Sequence, residues 1–246
     1  MTQRLACLLL VLVLAATAGC SGFRNDDQPD AAESARRLFE RSNELIAAGN
    51  FAAGIGGLES LTAIYPFSEE ARQAQLNLMY AYWRNGQPDA AVTAADRFIL
   101  ENPTHPRVDY ALYIKGLAKF PDDPGLLERL FRVDMDKRPP GEMMTSFNTF
   151  AQLIQQHPNS IYVDDARQRM IYLRNRLAAH ELSVAEFYAS RHAHVAAINR
   201  ARYVVENFQE TPSVVPALRV MARGYERLGL TELAETTRQV IAANSP

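Results

Sequence analysis

The sequence predicts an all-α chain, a superhelical solenoid of five helix-turn-helix repeats with about ten helices. Three observations predict it. A Gly is followed seventeen residues later by a Pro four times, as Gly49 and Pro66, Gly86 and Pro103, Gly141 and Pro158, Gly229 and Pro246. Apolar residues recur at helical spacing before each Gly. Gly and Pro are otherwise modest, 12 and 13 of 246 residues, and charges of both signs are interspersed, so a folded chain is expected beyond residue 30. In each pair the Gly frees a tight turn between antiparallel helices, and the Pro stops the second helix from continuing.

The first nineteen residues carry one basic residue, Arg4, no acid, and the apolar run Leu8 to Ala16. That is the layout of an export signal, and residues 1–19 are expected to be a cleaved signal peptide outside the mature fold. The run falls short of the ~20 apolar residues a spanning helix needs. Thr17-Ala18-Gly19-Cys20 resembles a bacterial lipobox, with Thr17 where Leu is usual. The resemblance implies acylation of Cys20 and cleavage before it, and Ser21 after the Cys implies sorting to the outer membrane. An ordinary cleaved signal with an incidental Cys is the alternative. Cys7 leaves with the signal, so Cys20 is the one mature cysteine and a disulfide framework is excluded. Residues 20–30 read as a lipidated flexible linker.

The first repeat begins near Ala31 and ends at Pro66. The second fits the pattern best: Leu76, Met79, Tyr80 and Trp83 precede Gly86, and Ala91, Ala94, Ala95 and Phe98 follow it, small residues that let paired helices approach closely. Leu78, Tyr82, Gly86, Ala91 and Pro103 fall at the spacing of the tetratricopeptide signature, and Pro66 to Pro103 is 37 residues, near that family's usual ~34. The third repeat is stretched by an insertion from about Lys115 to Pro140. The fourth opens with a long helix from about Ile161 to Ala189, along the stripe Val163, Ala166, Met170, Leu173, Leu177 and Val184, and has His192 and Gln209 at its marker positions. The fifth runs from about Thr211 to Pro246, its first helix striped by Leu218, Met221, Tyr225 and Leu228. Residues 31–160 thus hold repeats 1–3 and residues 161–246 repeats 4–5. Stacked units of this kind present a concave face suited to binding.

Chemistry is absent from the pattern. The five histidines, His105, His157, His180, His192 and His194, include no i, i+4 pair, and His192 and His194 are expected on different sides of a helix. There is no G-x-S-x-G, H-E-x-x-H or phosphate-cradling Gly loop, so no catalytic, cofactor or metal site is expected. Asp122, Asp123, Asp134 and Asp136 lack the Gly and terminal Glu of a calcium loop, and Asp164 and Asp165 suit the positive end of the long helix. Without Arg4 the mature side chains carry 25 basic and 28 acidic groups, with no concentrated basic footprint for nucleic acid. Arg219, Arg223 and Arg227 form a basic ridge on the ninth helix, with Arg200 and Arg202 on the helix before. This is a solvated face or a docking face for an acidic partner, using the pairing geometry of guanidinium and carboxylate.

Many segments resemble the BamD family of outer-membrane lipoproteins, subunits of the machinery that inserts β-barrel proteins. They include Tyr65-Pro66-Phe67, Tyr80-Ala81-Tyr82, Asp96-Arg97-Phe98-Ile99, Asn102-Pro103-Thr104-His105-Pro106, Asp109-Tyr110, Val133-Asp134 and Pro158-Asn159-Ser160. Further on come Ser183-Val184-Ala185-Glu186, Asn199-Arg200 and Ile241-Ala242-Ala243-Asn244-Ser245. The resemblance implies a non-enzymatic scaffold of five repeats, anchored through Cys20 on the periplasmic face of the outer membrane. Its C-terminal repeats would dock on the POTRA domain of BamA nearest the barrel. Its N-terminal repeats would receive unfolded outer-membrane β-barrel substrates and touch a BamC-like lipoprotein. Arg200 matches the family's ion-pairing residue at the BamA contact, and Tyr65, Phe67 and Ser68 fall in the region implicated in substrate recognition, Ser68 standing where some relatives have Gly. A general periplasmic repeat adaptor is the alternative function.

Overall fold

The computed structural model describes residues 30–121 and 140–244. Among them are ten helices and no strand: α1 Ala31–Ala47, α2 Phe51–Ile64, α3 Glu69–Arg84, α4 Pro88–Glu101, α5 Val108–Ala118, α6 Gly141–Gln156, α7 Val163–Ser190, α8 His194–Asn207, α9 Val214–Arg227 and α10 Thr231–Asn244. Every helix packs on its neighbours in the chain. The first helices of successive units also pack on one another, α1 on α3, α3 on α5 and α7 on α9, while α6 packs on both α5 and α7. This is the five-unit solenoid that the Gly and Pro spacing predicts. Cys20, the signal, the linker through residue 29, Asp122, Asp123, Asp134, Asp136 and Pro246 lie outside the described residues.

The turn inside a unit has one chemistry, used four times. Gly49, Gly86 and Gly229 adopt φ of +80°, +70° and +73°. At Gly86 the Gly N–H donates to the Trp83 carbonyl at 3.1 Å and the Gln87 N–H to the Tyr82 carbonyl at 2.9 Å. These two bonds satisfy helix-end carbonyls and reverse the chain, and the left-handed residue between them is ordinarily Gly because it lacks Cβ. The same pair recurs at Gly49 and Gly229, and again at His192, whose N–H donates to Ala189 while that of Ala193 donates to Tyr188. Gly141 departs from expectation. It is the first residue of α6 and has no left-handed φ. The insertion also begins later than expected: α5 continues to Ala118, and Lys115 lies within it, held by Asp96.

Pro66, Pro103 and Pro158 each stand two residues past the end of α2, α4 and α6. The connections that contain them start the next unit. Ser68, for example, caps α3 by accepting the Ala71 N–H at 3.0 Å.

Burial explains the stripes. On α3, Leu76 and Met79 are buried, with Tyr80 and Trp83 partly so, in a core that continues through every later unit to Ala234. The other face of α3 presents Ala74, Leu78 and Ala81 to Ala35, Ile55, Leu58 and Leu61, a separate core for the first unit. Helix α7, 28 residues and so roughly 42 Å long, buries Val163, Ala166, Leu173 and Leu177 as expected, with Met170 and Val184 half-buried. Leu228 is the exception in the last stripe: it is the exposed residue that closes α9.

Candidate partner-binding surfaces

Two regions hold the residues singled out from sequence. The first is the connection between α2 and α3. Helix α2 ends at Ile64 because Tyr65 leaves the helical region, at φ −124°, and the residue before a proline is pushed away from helical geometry. Tyr65 is half-buried against the first-unit core. Phe67 is 92% exposed, beside Ile64 at 63%. Ser68 has φ −70° and serves as the α3 cap, a conformation that needs no Gly. Tyr65 therefore fixes the turn and Ser68 starts the next helix, while Phe67 and Ile64 offer free apolar surface.

Beside this turn a groove of about 580 Å³ runs between α2, α3 and α4, lined by Glu59, Pro66, Gln75, Tyr82, Arg97 and Glu101 among others. The Tyr82 hydroxyl donates to the Glu59 carboxylate at 2.5 Å. Burial, then this bond and the charge of Glu59, raises the Tyr82 pKa well above the ordinary phenol value. Sequence reasoning missed the groove because Glu59 and Tyr82 lie 23 residues apart and on different helices. The Tyr80-Ala81-Tyr82 segment was its visible trace. At the next turn Arg84 lies over Phe51, Tyr80 and Trp83, at 5.2, 5.6 and 6.0 Å from their ring centres.

The second region is formed by α7, α8 and α9. Arg200 on α8 is not free: its Nη1 pairs with Glu181 Oε2 on α7 at 3.1 Å. Glu181 is 16% exposed at its side chain and Arg200 50%, so a largely buried carboxylate holds a guanidinium that stays half-exposed and keeps further donors beyond this pair. Arg202 is engaged as well, donating to the Tyr225 hydroxyl at 3.3 Å. Arg219, Arg223 and Arg227 lie exposed along one face of α9, and no ion-pair partner stands beside them among the described residues.

Arg223 and Arg227 border a groove of about 420 Å³ that also contains His192 and His194. These two histidines do not lie on opposite sides of a helix, as expected. His192 occupies the left-handed turn position and His194 opens α8, which brings their ring centres to 6.0 Å. No group of three or more potential metal ligands occurs among the described residues. His105 is a packing residue, edge-on to Phe98 at 5.2 Å, with Nδ1 accepting the Arg107 N–H.

Asp165 does more than suit the start of α7. It accepts from the Tyr113 hydroxyl on α5 at 2.7 Å and from Arg169 at 2.5 Å. Burial pushes its pKa up, but those two hydrogen bonds and the Arg169 charge outweigh burial and hold it below the usual carboxylate value.

Residues 31–240 match the family model YfiO, described as an outer membrane lipoprotein. The chain is 35% identical over 234 residues to the outer membrane protein assembly factor BamD of Vibrio cholerae, covering 95% of this chain and 96% of that relative. It is 35% identical to the BamD of Neisseria meningitidis serogroup A, over 100% of this chain and 92% of the relative, and 33% identical to that of Pasteurella multocida, over 96% and 89%. Solved structures with some likeness include a crystal structure of MamA protein, at 17% identity and TM-score 0.36 over 85% of this chain and 90% of that one. Another is a putative kinesin light chain with nearly identical TPR-like repeats, at 15% identity and TM-score 0.38 over 87% and 96%.

Proposed function

The chain belongs to the BamD family of outer membrane lipoproteins, and from that premise we propose that it is a non-enzymatic scaffold for assembling β-barrel proteins into the outer membrane. It is held on the periplasmic face through acylated Cys20. Repeats 4 and 5 dock on the POTRA domain of BamA nearest the barrel, through Arg200 and the row Arg219, Arg223 and Arg227. Repeats 1 to 3 receive unfolded barrel segments at the α2–α3 connection, where Phe67 supplies the apolar contact and Tyr65 and Ser68 hold the turn in shape. A BamC-like lipoprotein is a further partner at this end.

The observation that carries the docking role is the contrast among arginines. Arg169, Arg202 and Arg238 are each engaged within the chain, whereas three in register on α9 have no ion-pair partner among the described residues. Arg200 fits the same role, since a guanidinium presents five donors and Glu181 occupies only part of them. Arg200→Glu is expected to release the barrel subunit in co-purification while circular dichroism stays unchanged. Undiminished co-purification would exclude Arg200 from the contact.

A further inference from the structure

The spacing of the arginines beside the groove between α7, α8 and α9 says more about its occupant than charge alone. Resting on the reading of the α9 arginines as a docking face, we infer that the groove receives an extended segment of a partner protein with acidic residues at alternating positions.

The spacing comes first. Arg219, Arg223 and Arg227 are four residues apart on one helix, so successive guanidinium stems rise about 6 Å along its axis. In an extended strand, side chains on one face recur every second residue, about 6.4–6.8 Å apart. Acids at alternating positions therefore meet Arg223 and Arg227, which line the groove, and a third, continuing along α9, reaches the exposed Arg219 outside that lining, each pair able to form the planar carboxylate contact that arginine favours.

The lining of the groove adds to the charge of the arginines. Gly224 lets α8 and α9 approach closely beside it, since a Cβ there would come within 2.7 Å of Ile198 Cγ1. His192 and His194 line it together with the arginines, and Glu186 is the one acid in the lining.

His192 supplies an independent observation. The other within-unit turns with a left-handed residue, at Gly49, Gly86 and Gly229, use Gly, whereas this one uses His at φ +60°. A side chain held in a conformation it disfavours points to a use for that side chain. Here the exposed ring lines the groove together with Arg223 and Arg227.

The test uses the full mature chain and two fluorescent peptides of equal composition. One alternates Thr and Glu, with three Glu at every second position; the other has the three Glu contiguous. Anisotropy is expected to show the alternating peptide bound at least tenfold more tightly. Arg223→Ala or Arg227→Ala should weaken it at least tenfold, and His192→Gly about threefold with the fold intact. Equal affinity for the two peptides, or binding untouched by Arg223→Ala, overturns the inference. Co-purification of the barrel subunit with Arg223→Glu separates the two levels. If the subunit is released yet the peptides bind alike, docking stands and the extended register falls. If the subunit stays and the alternating peptide still discriminates, the groove serves another acidic segment and the inference stands.

Discussion

Replacing His192 by Gly should make the protein more stable. The residue sits at φ +60°, where a Cβ crowds the following carbonyl at a cost of about 1–2 kcal/mol. Glycine removes that cost but loses more conformational freedom on folding, roughly 0.5–1 kcal/mol. The two hydrogen bonds that close the turn come from the backbone N–H groups of residues 192 and 193, and the substitution leaves both in place. The edge-to-face contact with His194 at 6.0 Å lies within the range of aromatic pairs, but His192 is exposed and the contact buries little, so little is lost with it. The net gain is about 0.5–1 kcal/mol, which in a domain of this size raises Tm by about 1–4 °C. Differential scanning calorimetry of the mature chain reads this directly. A lower Tm would mean that the imidazole makes a stabilising contact strong enough to offset its backbone strain, and His192 would then be kept for stability and not for binding.

Other consequences are open to measurement. Ser68→Ala should destabilise by about 1 kcal/mol through loss of the α3 cap, while Ser68→Gly should cost only a few tenths; equal losses in urea titration would show that the capping bond to Ala71 is unimportant. Because Asp165 has a lowered pKa in the folded state, its contribution is present above the unfolded carboxylate value of about 4 and is lost as pH falls through the folded value. Asp165→Asn should therefore reduce stability at pH 7 and flatten the loss below about pH 4, by an amount kept small because the carboxylate is 44% exposed. Leu173→Ala, at a fully buried position on α7, should cost about 2–5 kcal/mol, and a loss below 1 kcal/mol would contradict the packing of that helix. Radiolabelled fatty acid should be incorporated by the intact precursor and not by Cys20→Ser; label persisting on the variant would place the anchor elsewhere.

The repeat architecture was legible because it depends on local rules. A left-handed Gly and a helix-stopping Pro act within a few residues of themselves, so their spacing survives in the one-dimensional record. Gly141 shows the limit of that record. It falls at the right interval, but the chain before it has been lengthened, and the same residue opens a helix instead of closing a turn. The stripe Leu76, Met79, Tyr80 and Trp83 is likewise legible from local periodicity, yet it is only half of α3. Ala74, Leu78 and Ala81 serve the opposite neighbour, and small residues mixed with one Leu give a weak periodic signal. Site features were less legible, since they are assembled from different helices. Arg200 could be named from a motif, but its pairing with Glu181 depends on how α8 crosses α7. The approach of His192 to His194 depends on a turn conformation that histidine seldom adopts.

Helix α3 divides the apolar interior, one face in each of two cores that do not merge. In a stack whose stability is a sum of units and nearest-neighbour interfaces, both end units have one neighbour, but the last shares the continuous core whereas the first keeps a separate, smaller one. The first unit's amides should exchange hydrogen through local opening at lower free energy than those of α7 to α9. The molecule is then graded in compliance along its length: the end bearing Phe67 yields first, and the end bearing the arginine row keeps its dimensions.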